Sequence, residues 1–397
     1  MRKIYYLVLT SFLLLTACAP NFGEQEEIVK ETEDDTTEKA IIPKYNISDS
    51  YYKMILPFQP GEARGLVTKQ LNTRLDIDEF ETGLMRLAQD TFSTDKYLYQ
   101  EGQYIKSDVI KSWLSRKLTG KDLEAAKEKA KKEKKEYVEL GLNPALPEPT
   151  EEAGLEEINE ENPIYLAHML EHNYLIQKED TGELGGIVLG LAMNSVHYYK
   201  QENGYAREYK IDRDELLAKG KEIAKEVVNR ARSIQGLEDV PIVIGIYEQE
   251  ESKSIVPGSF VAKTVVKEGS REVGKWTEID EKYYFFPSAD ATSAHRDDAQ
   301  MFSRFKDDIE EFFPNYTGVI GKAFYRNGEM SYLDIEIPMQ FYGKAEVVGF
   351  TQFVTGKVMD YFPDYISLEV NIMSTTGQEA LILKESDQEE PTVHIYK

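Results

Sequence analysis

"GGIVLGLAMNSVHYY", residues 185–199, is followed by "REYKID" (207–212) and by "DRDELLAKGKEIAKEVVNRARSI" (212–234). The first two stretches read as strands. The third reads as a helix, because Leu216, Leu217, Ile223, Ala224, Val227, Val228 and Ala231 recur on one face and Gly236 ends the run. Two further strands follow, "PIVIGIYE" (241–248) and "SFVAKTVV" (259–266). The pattern then returns. "TGVIGKAFYRNG" (317–328) and "SYLDIEIP" (331–338) precede the helix "GKAEVVGFTQFVTGKVMDYF" (343–362), and "YISLEVNIM" (365–373) and "EALILKE" (379–385) follow it. Both copies read strand–strand–helix–strand–strand, a repeat of pattern rather than of identity. A unit of this kind covers a sheet face with its helix, so the expected class is α+β, with two ββαββ-like repeats and mostly antiparallel sheets. A doubly wound sheet would alternate single strands with helices.

Upstream, "YYKMILPF" (51–58) reads as a strand, and "DIDEFETGLMRLAQDTF" (76–92) as a helix capped by Asp76 or Asp78. "KYLYQEGQYI" (96–105) reads as a hairpin turning at Glu101-Gly102, and "SDVIKSWLSRKL" (107–118) as a helix with Ser107 at its N-cap and Leu118 inward. "GKDLEAAKEKAKKEKKEYVEL" (120–140) is a charged helix with ion pairs along a solvated face. Three prolines in "GLNPALPEPTEEAG" (141–154) suggest a linker. The expected organisation is a leader at 1–17, an acidic disordered tether at 18–44, and a mixed N-terminal α+β domain at 45–140. A Pro-rich linker at 141–155 then precedes repeats at 156–272 and 273–397.

The front end is an export signal. Arg2 and Lys3 precede an uncharged run, residues 4–17, whose helical length of about 21 Å falls short of a ~30 Å hydrocarbon core. Leu15-Thr16-Ala17-Cys18 resembles the lipobox of bacterial lipoproteins, and Cys18 is the only cysteine. Small Thr16 and Ala17 admit a peptidase that would cut between Ala17 and Cys18, and the thiol can form a lipid thioether. Stable anchoring takes two hydrophobic signals, and a diacylglyceryl group, the implied modification, supplies two chains. The acidic run after it has too little apolar surface to fold. The chain holds 47 basic and 71 acidic residues, and loss of Arg2 and Lys3 with the leader takes the net charge from −24 to −26. That balance argues against nucleic acid as a partner and against adhesion to anionic lipid.

Three constellations invite a chemical reading. His168-Met169-Leu170-Glu171-His172 fits H-x-x-E-H, and on a helix over 163–174 its histidines would share one face as zinc ligands. No third carboxylate ligand can be located, so the ordinary alternative is a surface helix. "FPSADATSAHRDDAQ" (286–300) gathers Ser288, Asp290, Ser293, His295 and Asp297, without a G-x-S-x-G elbow. It reads as a polar loop leading into a capped helix. The 25 tyrosines and 17 phenylalanines include Tyr283-Tyr284-Phe285-Phe286 and His197-Tyr198-Tyr199, read as core or sheet surface before ligand platform. No glycine-rich phosphate loop occurs, and neither a cofactor nor catalysis is expected.

"LPFQPGEARGLV" (56–67), "NTRLDIDEFETGLMRLAQDTF" (72–92), "KYLYQEGQYI", "LGLNP" (140–144) and "NPIYLAHMLEHNYL" (162–175) together resemble the CamS family of sex pheromone lipoproteins of Gram-positive bacteria. The resemblance spans essentially the whole chain. It implies that a short peptide cut from the leader acts as a pheromone inducing conjugative plasmid transfer. The matching segment is Ser11, Phe12, Leu13, Leu14, Leu15, Thr16 and Ala17. The implied partners are the membrane, lipoprotein-processing enzymes and a peptide receptor in responding cells. The implied location is the extracytoplasmic face of the membrane. Two other readings stay open for the mature domain: a solute- or peptide-binding lipoprotein of an importer, and a zinc peptidase.

Overall fold

A computed structural model describes residues 26–31, 37–42, 47–48, 50–150, 153–178, 181–312, 318–386 and 388–397. In chain order the elements are β1 (Glu26–Glu31), β2 (Thr37–Ile42), β3 (Lys53–Met54), α1 (Val67–Gln70), α2 (Arg74–Ala88), β4 (Tyr97–Glu101), α3 (Ser107–Leu114), α4 (Gly120–Lys132) and α5 (Leu155–Glu161). Then come β5 (Leu166–Lys178), β6 (Thr181–Asn194), β7 (Val196–Lys200), β8 (Ala206–Lys210), α6 (Arg213–Ala231), β9 (Ile242–Gln249), β10 (Ser259–Val266) and β11 (Thr277–Glu278). The last part holds β12 (Glu281–Phe286), α7 (Ala289–Ala294), α8 (Arg296–Phe312), β13 (Ile320–Arg326), β14 (Glu329–Pro338), α9 (Lys344–Tyr361), β15 (Ser367–Ser374), β16 (Gly377–Lys384) and β17 (Thr392–Ile395). The class is α+β, as expected.

Two large sheets carry the fold. The first runs β11-β10-β9-β6-β5-β4-β3 and the second β12-β13-β14-β15-β16-β17. The repeat is more complete than its sequence pattern. From β4 to β11 and from β12 to β17, the successive pairings have the same senses: antiparallel, antiparallel, parallel, antiparallel, antiparallel. In each copy the parallel step is the one bridged by the helix, α6 or α9.

The structure corrects the membership of the first copy. The expected strand 185–199 breaks at Ser195, and β7 and β8 leave the sheet as a separate two-stranded ribbon. The true partner of β6 is β5, which carries the H-x-x-E-H segment and is a strand rather than a helix. The helical reading failed because "LAHMLEHNYLIQK" is buried on both faces, which erases the alternation that marks a strand. The same cause gives β6 and β9 their continuous apolar runs. Helix α6 packs Leu216, Ile223 and Val227 with Ile187, Leu189 and Ile244, while α2 packs Phe80, Leu84 and Ala88 with Val188, Val243 and Phe260. The first sheet is therefore covered on both faces. The second keeps its alternation, since β15 buries Leu368, Val370 and Ile372 in a core with α8 and α9.

Other expectations change in detail. Residues 97–101 form one strand, not a hairpin. The cap of α2 is Thr73, whose hydroxyl accepts from the Asp76 amide at 3.0 Å. Ser107 is the first helical residue of α3 and not its cap, and Leu118 lies exposed beyond its end. The acidic stretch expected as an unstructured tether contains the antiparallel pair β1–β2, and Ile42 is buried with Ile55, Leu98 and Leu175. Ile42 gives that segment apolar surface to bury despite its acid. Within the expected linker, Asn143 is fully buried and bonds the Leu166 backbone in both directions, tying 141–144 to the start of β5.

Candidate functional site

Alternation along β4 and β5 builds the site. Tyr99 lies opposite Tyr174, and Glu101 lies opposite His172, in an antiparallel pair. Their side chains and those of His168 and Leu170 face α2, because side chains two apart share a sheet face. Phe80 of α2 meets the His168 ring edge-on at 6.3 Å, and Tyr99 meets His172 edge-on at 5.0 Å. The face is lidded by the loop before α1. Glu101 accepts the Gly61 amide at 2.5 Å and pairs with Arg64 at 3.4 Å. Gly65 turns that loop at φ +87°, a conformation that favours glycine. Between lid, α2 and sheet lies a cavity of about 240 Å³, with Ile77, Ile105 and Leu170 among its walls.

Glu171 points to the other face of β5 from the histidines, again by the period of two. It accepts the backbone amides of Gln103, Tyr104 and Ile105 at 3.2, 3.2 and 2.7 Å. Gly102 is required there, since a Cβ would stand 2.5 Å from the Glu171 Cβ. Burial pushes the Glu171 carboxyl up, against the pull of the three amides. The residue anchors the β4–α3 loop and holds Ile105 in the cavity wall.

This geometry overturns the zinc reading. Four residues on a strand separate His168 and His172 by roughly 13 Å along β5, against ~6 Å on a helix. Glu171 faces away, and its oxygens are engaged. Among the described residues, no group of three or more His, Cys, Asp or Glu side chains is placed to hold a metal ion.

The histidines are unusual for another reason. His168 is 0% and His172 1% exposed, and none of their four ring nitrogens has a hydrogen-bond partner among the described residues. The Tyr99 hydroxyl is likewise buried without a partner. Burial lowers the His168 pKa to about 4 and that of His172 to about 3, so both rings are neutral near pH 7. At the mouth, Arg74 pairs with Asp78 at 3.1 Å, while Glu81 is exposed, its carboxyl pushed up first by desolvation and then by Glu101.

The remaining candidates are placed elsewhere. Ser288 accepts the Ala291 amide as the cap of α7, and His295 stacks on Tyr325 at 3.7 Å, so the two form no hydrolytic dyad. Asp290 lies in the first turn of α7 and Asp297 in that of α8, and Ser293 is exposed on α7. His197 bonds the Ile164 amide and Asn159, and stacks on Tyr199. Tyr283 donates to Glu79, and Phe286 is in the second core. Leu15, Thr16, Ala17, Cys18 and the rest of the segment 11–17 lie outside the described residues. Sequence reasoning missed Tyr99, which meets the His172 ring, and the Glu101–Arg64 pair beside it. No local pattern signalled them, because burial on both faces leaves "HMLEHNY" without the alternation of a strand.

The model of the CamS sex pheromone cAM373 precursor family matches residues 58–390. The chain belongs to the CamS family. The C-terminal domain of the sex pheromone staph-cAM373 precursor from Staphylococcus aureus is similar at 35% identity and a TM-score of 0.70, with 83% of this chain and 99% of that one covered. A sex pheromone precursor from Lactobacillus salivarius subsp. salivarius UCC118 is similar at 28% identity and a TM-score of 0.78, with 90% and 98% covered. Among curated proteins no sequence matches the chain. The CamS match takes in the histidine cavity and both large sheets apart from β1, β2 and the edge strands β3 and β17.

Proposed function

We propose that the chain is exported, cut between Ala17 and Cys18, and lipidated on Cys18. The leader remnant Ser11–Ala17 is then trimmed to a hydrophobic heptapeptide that signals to cells able to take up or donate a plasmid. The observation that carries this reading is the junction of CamS membership with Leu15-Thr16-Ala17-Cys18 before the only thiol. The remainder serves as a non-catalytic domain held at the extracytoplasmic face by its lipid. Among the described residues no helix is long and apolar enough to cross a membrane. The partners on this reading are the lipoprotein-processing enzymes and a peptide receptor.

Mass spectrometry of culture medium and membrane fraction tests both products in one experiment. The expected result is SFLLLTA in the medium and a diacylglyceryl-modified Cys18 N-terminus in the membrane. Cys18→Ser should leave the leader attached and abolish both. Intact protein with residues 1–17 retained and an unmodified thiol would overturn the reading. Synthetic SFLLLTA should also induce clumping or plasmid transfer in pheromone-responsive donors, and silence at high concentration rejects its role as the signal.

A further inference from the structure

The cavity over β4 and β5 has no part in the pheromone reading, yet it is built as a site. Three hydrogen-bonding side chains just beneath its floor are fully buried, at 0–2% exposure, and none is engaged by another described residue. Leaving such a group unmet costs about 1–3 kcal/mol. A fold that needed only packing would place apolar rings there, as it does with Phe80 and Phe92 beside them.

The chemistry of the floor selects the ligand. A neutral imidazole offers one donor and one acceptor, and a tyrosine hydroxyl offers both. Hydroxyl groups match that double character. An anion would meet Asp78, Glu81 and Glu101 at the mouth with both arginines already ion-paired. A cation carried to the floor would meet carboxylates already engaged, Glu101 by Arg64 and the Gly61 amide and Glu171 by three amides. At about 240 Å³ the cavity is smaller than the ~300–1,000 Å³ of drug-sized sites and on the scale of one sugar ring with its hydroxyls. The apolar walls, Ile77, Ile105 and Leu170, suit the C–H faces of such a ring, and carboxylates at the rim accept further hydroxyls. We propose that this cavity binds a neutral, hydroxyl-rich ligand of monosaccharide size through His168, His172 and Tyr99.

Solution NMR on the full chain in detergent, observing the imidazole ring protons, tests the assignment. Glucose and N-acetylglucosamine are the neutral probes, and acetate and ethylammonium the charged ones. A neutral probe should shift the His168 and His172 signals with millimolar affinity, and the charged probes should not. Tyr99→Phe removes one oxygen and keeps the ring on His172, so binding should weaken by about five- to tenfold. His172→Phe should weaken it similarly, and Tyr99→Phe carries the test if the histidine variant fails to fold. The proposal is overturned if neither sugar shifts the histidines at tens of millimolar, if a charged probe binds more tightly, or if Tyr99→Phe binds as well as the wild type. None of these outcomes bears on leader cleavage, so this proposal and the pheromone reading fail separately.

Discussion

His168 and His172 enter folding as ordinary imidazoles with a pKa near 6.5 and end with values of about 4 and about 3. Burial is the cause in both, because it penalises the charged ring. Folded-state values below the unfolded value mean that the unfolded chain takes up protons the native chain refuses. The stability tied to these rings is thus whole above about pH 6.5 and declines as pH falls towards 4 and 3. Each ring should account for roughly 2 kcal/mol of lost stability by about pH 5. Urea unfolding at about pH 7.5 and pH 5 checks this, and the double variant His168→Phe, His172→Phe should show a flatter pH dependence than the wild type. An unchanged dependence would mean that the rings are not shielded as described.

Helix α2 is the element on which the site depends, since it roofs the histidine face and joins the two sheets. Its start is held by Asp76, buried at 0% exposure, which accepts the Tyr247 hydroxyl and the amides of Glu250 and Gly258 at 3.0, 3.2 and 2.9 Å. Close approach to the sheet depends on Gly190, where a Cβ would stand 2.8 Å from the Phe80 ring. Asp76→Ala orphans two buried donors and a half-buried one and should cost about 3 kcal/mol or more in urea unfolding, with the β9–β10 loop losing amide protection first. At its other end, Arg86 bridges Glu79 at 2.6 Å and Glu281 at 2.8 Å, lies over the Phe324 ring at 4.6 Å, and is joined through Glu79 to Tyr283. Arg86→Ala leaves two nearly buried carboxylates without their shared cation and should cost about 3–5 kcal/mol. Arg86→Lys restores charge but not the fork, so it should recover only part of that loss.

At the scale of the molecule, each sheet carries its own core. Apolar side chains of the first sheet pack with α2 and α6, and those of the second with α8 and α9. A charged network around Arg86, rather than apolar packing, ties α2 to the second sheet, since Glu281 and Phe324 belong to β12 and β13. Joints of this kind couple domains weakly. Calorimetry should therefore resolve two overlapping transitions, and Arg86→Ala should move them apart. One transition that stays sharp in both proteins would show that the sheets unfold as a unit. Among the described residues the repeat places the cavity in the first copy: in the second, β12 and β13 occupy the positions of β4 and β5, and no described helix stands on the outer side of that sheet as α2 does.

Composition, the apolar run before the single cysteine, and the helical stripes of α6 and α9 were decided by sequence, because charge, hydropathic length and a period of 3.6 residues are local properties. The α+β class followed from the same local patterns, read twice. Tertiary structure alone decided which strands form the first copy and what H-x-x-E-H does. A strand buried on both faces shows no alternation, so β5 could not be told from a helix until α2 and α6 were seen to cover it. Once 168–172 is extended, the histidines face the cavity, the glutamate faces a loop, and a motif that reads as zinc chemistry becomes the floor of a pocket. Tyr99 meets His172 only through the β4–β5 pairing, a contact across 73 positions of sequence that no local pattern encodes.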